Sequence, residues 1–96
     1  MTDRQTQALA DAALGIAFVG AREYLRRHGL HAEPDALAEC VKSWARIKLP
    51  EALADAREAF AIGMVDAGVL TFKSTMIIAG IEAAKEAATA KAEGVR

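Results

Sequence analysis

Hydrophobic positions recur along this chain at helical rather than alternating spacing. Between residues 34 and 48, Leu37, Cys40, Val41, Trp44 and Ile47 fall on one side of a helical wheel, and Asp35, Glu39, Lys42, Ser43 and Arg46 on the other. This is the clearest surface amphipath in the sequence. The amino-terminal stretch differs, because Arg4, Asp11, Arg22 and Arg26 confine charge to a narrow strip. Leu9, Ala13, Leu14, Ile16, Ala17, Phe18, Val19 and Tyr24 spread over most of the remaining circumference. Such a helix is expected to be central, enclosed by the other helices or by a second chain.

Prolines and glycines divide the pattern. A first helix is expected over 3–27, opened by a Thr2 or Asp3 cap and closed by Gly29, whose missing Cβ suits a left-handed cap with Leu30 behind it. Pro34 belongs in the first turn of a second helix, where its absent N–H is harmless. Pro50 disfavours the α conformation at Leu49, so it is expected to end that helix at about Lys48 and open a third over 50–67. On a common wheel, the stripe Leu53, Ala56, Phe60, Met64, Ala67 lies about 160° from the stripe Phe72, Met76, Ala79, Gly80, Ala83, Ala87. A straight rod would bury opposite sides, so a break is expected over Gly68 to Thr71, with a fourth helix over 71–92.

Composition sharpens this picture. Of the 96 residues, 23 are Ala, which favours helix but leaves a modest set of large core formers. The 10.2 kDa length fits a single domain, marginally stable unless helices approach closely or chains associate. The expected fold is therefore all-α: one compact four-helix domain assembling as a helical homodimer. Twelve basic and 13 acidic residues give a net charge of −1, without the basic excess of a dedicated nucleic-acid binder. The longest uncharged run, Ala12 to Ala21, is half of what a membrane span needs, so no membrane association is expected. A lone cysteine and no leader pattern point to a cytoplasmic, reducing setting.

Three aliphatics sit among charges rather than in the stripes: Ile62 and Val65 among Glu51, Asp55, Glu58 and Asp66, and Ile78 between Glu82, Lys85 and Thr89. Together they are the candidate interface, since contiguous exposed apolar residues mark contact surfaces. Small residues at i, i+4, namely Ala59, Gly63, Ala67 and Gly80, Ala84, Ala88, allow close backbone approach within the chain or between chains.

Candidate chemistry is thin. His28, His31 and Cys40 are metal-ligand types without the paired spacing of a zinc site. Cys40, on an apolar face, lacks an activating base, and Ser43, Ser74, Thr71 and Thr75 lack an elbow or oxyanion glycine. No catalytic residue, metal or cofactor is expected. The chain reads as a protein–protein interaction module of adaptor or accessory type, acting as a homo-oligomer. The alternative is a small helix-turn-helix-like DNA-binding regulator using Arg22 to Lys48, with Arg22, Arg26, Arg27 and His28 as its basic cluster; Asp35 near the amino end of the would-be recognition helix opposes it. A weaker alternative is a ligand carrier with a cavity between Phe18, Trp44, Phe60 and Met64.

Overall fold

The computed structural model describes the backbone of residues 2–95 and the side chains of residues 4–88. It contains three helices, α1 (Thr2–Arg27), α2 (Pro34–Ala61) and α3 (Val65–Val95), each packed on both others. The expected four-helix domain is thus corrected to three, and two of the expected boundaries are wrong. The expected Thr2 or Asp3 cap lies outside the described side chains.

Pro50 stands inside α2 instead of ending it. The buried residues of α2 are Leu37, Val41, Ala45, Ala52, Ala56 and Phe60, spaced by four, four, seven, four and four, which is one stripe of one uninterrupted helix. Pro50 lies on the opposite, exposed side, as does Arg46, whose carbonyl loses its N–H partner to the proline. Water can serve that carbonyl.

The second boundary turns on Gly63. Its φ is +82°, while Gly63 N–H donates to the Phe60 carbonyl at 3.1 Å and Met64 N–H to the Ala59 carbonyl at 2.9 Å. These are the two bonds of a Schellman cap. The first connection ends α1 in the same way, with Gly29 at φ +62°, Gly29 N–H donating to Arg26 and Leu30 N–H to Leu25. Gly68, expected to end a helix, instead sits inside α3 for reasons of space: a Cβ there would lie 2.9 Å from Ala59 Cβ and from Phe60 Cε1. With the break at 62–64, residues 65–70 join the fourth stripe, and α3 runs through the expected Gly68–Thr71 break.

Phe60 against Gly68 at one end and Trp44 bonded to Glu86 further along make α2 and α3 antiparallel. Gly20 against Ile77, followed by Tyr24 beneath Lys85, makes α1 and α3 parallel. The shared element is therefore α3, not the amino-terminal helix expected to be central. Its core face comprises Phe72, Met76, Ala79, Ala83, Ala84 and Ala87, all fully buried. Against it α1 lays a narrow stripe, Leu9, Ala13, Ala17, Ala21 and Leu25. Where these helices cross, Gly80 has no room for a Cβ beside the Ala17 carbonyl, and a Cβ at Gly20 would lie 2.7 Å from the Ile77 carbonyl oxygen. The Gly80, Ala84, Ala88 series is thus a seam within the chain.

Within Val65–Ala88 the most apolar 18-residue window has a mean hydropathy of 1.3, so by length and composition this helix is long and apolar enough to cross a membrane; 39% of that window is buried inside the bundle. The uncharged-run criterion did not bring this out, because single charges such as Lys73 interrupt an otherwise apolar helix.

Candidate interaction surface

The close α1–α3 crossing determines what lies outside it. Glycine-mediated contact draws the backbones together, so larger side chains beside the crossing cannot fit between them and splay outward. Val19 from α1 and Ile77 and Ile81 from α3 consequently line a groove of about 440 Å³ whose floor is Gly20 and whose end is walled by Tyr24. Glu23, Arg27 and His28 form its polar rim. Further along the outer face of α3 stand Ile78, half exposed, and Leu70, 66% exposed, while Val19 is 64% exposed.

The rim is internally satisfied. Glu23 accepts from Arg26 and Arg27, and these hydrogen bonds, Arg26 first, hold its carboxyl below the ordinary range. The same pairing raises the Arg26 guanidinium. Lys85 pairs with Glu82 at 3.7 Å and lies 5.9 Å over the Tyr24 ring, which stacks on His28 at 4.3 Å.

The three expected interface residues all face outward, but the structure does not bring them together. Ile62, 69% exposed, lies in the α2–α3 turn before Met64, and Val65 opens α3 just after it. Ile78 lies 13 residues beyond Val65, about 20 Å along the helix. It belongs with Ile77, Ile81, Leu70 and Val19, which were not singled out from sequence. One signal was available: Ile77 and Ile78 are adjacent on a helix, 100° apart, and cannot both point to the centre of one core stripe.

The remaining candidate chemistry is dispersed. His31 is exposed in the α1–α2 connection, and Cys40 faces Glu86 across the α2–α3 contact. Burial first, then a hydrogen bond to the Glu86 carboxylate, pushes the Cys40 thiol up, so it is a poor nucleophile. Trp44 Nε1 also donates to Glu86, at 3.3 Å. Among the described residues no three His, Cys, Asp or Glu side chains converge as a metal site. Arg22 sits 5.6 Å from the Phe18 ring, and Arg26 and Arg27 are engaged by Glu23. Phe18, Trp44, Phe60 and Met64 do not surround one cavity: Phe60 is core near the turn, Met64 is exposed in it, and Trp44 lies 16 residues before Phe60, about 24 Å along α2.

No family model matches the chain, and no curated protein or solved structure matches it either.

Proposed function

We propose that this chain is a small helical protein–protein interaction domain, adaptor or accessory in type, that acts as a homo-oligomer and carries no catalysis. The observation supporting this most is its surface. The chain exposes 6146 Å². A folded monomer of 10.2 kDa is expected to expose roughly 5,300 Å². The excess of roughly 800 Å² is the area one partner contributes to a standard protein–protein interface. Shape agrees, since the bundle measures 51 × 21 × 15 Å with a radius of gyration of 14.6 Å. About 12.5 Å is typical of a domain of this length.

Light scattering after size exclusion tests this proposal. A mass near twice 10.2 kDa, or a higher whole multiple, is expected at tens of micromolar. A mass of one chain at every concentration up to the millimolar range would contradict it.

A further inference from the structure

We infer that the occupant of the α1–α3 outer face is a second copy of this chain, docked α3 against α3 about a two-fold axis that passes close to Ile78. This rests on the homo-oligomer proposed above and assigns its surface. Three observations carry the choice of face and occupant. Leu70, Ser74, Ile77 and Ile81 follow one another at intervals of four, three and four on the exposed side of α3, the spacing of a seam between two long helices. The chain's 6146 Å² exceeds the roughly 5,300 Å² of a folded monomer of its mass by about what one partner contributes to a standard interface. The rim carries Glu23 and Glu82 paired with Arg26, Arg27 and Lys85, charges of both signs, so an identical face can set acids against bases.

In an isologous antiparallel pair of helices, residues on one flank meet the same flank of the copy. Ile78, on the flank away from α1, therefore lies beside its own counterpart in the second copy, and Ile77 and Ile81 seat against the copy's seam around Ser74. Ile62 and Val65, about 20 Å away along α3, lie outside the contact.

Charge exchange at Ile78 tests this arrangement. Ile78→Glu and Ile78→Lys are each expected to keep the helical circular dichroism of the parent, because the side chain is half exposed in the single chain. Each alone should raise the dissociation constant by roughly 100-fold or more, and an equimolar mixture should recover the dimer mass in sedimentation. Ile62→Glu should leave the parent mass unchanged. Should the Ile78 variants lose helix, Val19→Glu, at a more exposed position on the same face, is expected to dissociate the dimer with its helix intact. A parent that sediments as a dimer while Ile78→Glu and Val19→Glu remain dimeric would overturn the face and leave the homo-oligomer standing. Monomeric Ile78→Glu that Ile78→Lys fails to rescue would overturn the two-fold pairing. A monomeric parent would overturn both proposals, and if that monomer co-sedimented with phosphatidylcholine vesicles and Ile78→Glu did not, the face would belong to lipid.

Discussion

The two faces of α3 invert the usual relation between size and burial. Inward, among the described residues, it fully buries Ala79, Ala83, Ala84 and Ala87 beside the buried Gly80, with Phe72 and Met76 as the large fully buried side chains; outward it presents Leu70, Ile77 and Ile78. The first helix does the same, burying Ala13, Ala17 and Ala21 and leaving Val19 exposed. A close crossing explains the inner faces, since helices whose backbones nearly touch admit nothing larger than alanine there and gain many dispersion contacts from doing so. It does not explain the outer ones. Burying a side chain the size of isoleucine is worth about 1.5–3 kcal/mol, and the single chain forgoes much of that at each of these positions. The inner face closes the chain on itself, and the outer face leaves apolar surface exposed.

The largest effects are expected at the crossing. Gly80→Val should remove α1 from α3, with a loss of about 3 kcal/mol or more in urea unfolding, because its Cβ meets the backbone of Ala17 and Ala21 rather than a movable side chain. Phe72→Ala should be of similar size, about 3–5 kcal/mol, whereas Ile78→Ala measured on the dilute single chain should cost less than about 1 kcal/mol. Two exposed glycines separate conformational need from space: neither has an atom within 4 Å of an added Cβ. Gly63→Ala, at φ +82°, should destabilise by about 1–2 kcal/mol. Gly15→Ala, inside α1, should stabilise by about 0.5–1 kcal/mol. The smallest effect concerns Cys40. Its thiol is raised in the folded state, so the unfolded chain gives up its proton first and stability should decline slightly as pH rises past about 9. Disulfide-exchange reagents at pH 8 should modify Cys40 more slowly in buffer than in urea.

These faces were partly legible in the sequence. The Gly29 cap, the first-turn Pro34 and the buried stripe from Phe72 to Ala87 follow from local rules, and all appear in the structure. Pro50 misled because a proline's local penalty depends on which side of the helix it occupies: the stripe from Leu37 to Phe60 turns it outward, where the Arg46 carbonyl it leaves without an N–H partner can face water. Gly63 and Gly68 exchanged their expected roles, since the sequence does not distinguish a glycine needed for positive φ from one needed for space. Moving that boundary five residues joined Val65 to Leu70 onto the last helix and made α3 the shared core element. Of the candidate interface, the outward direction of Ile62, Val65 and Ile78 was readable from their charged neighbours. Their separation was not, because it depends on the same boundary. Val19 and Ile77 were hidden because each lies next in sequence to a glycine crossing or a core position, and only the packing of α1 on α3 shows which way they turn.

The most direct test of the inverted faces is urea unfolding of the parent chain at two concentrations 100-fold apart, followed by circular dichroism. If the outer aliphatics contribute through a second copy, the midpoint rises with concentration, since association favours the folded side by mass action. A midpoint that stays fixed across the hundredfold range would show that these residues contribute nothing beyond the single chain and would contradict the account.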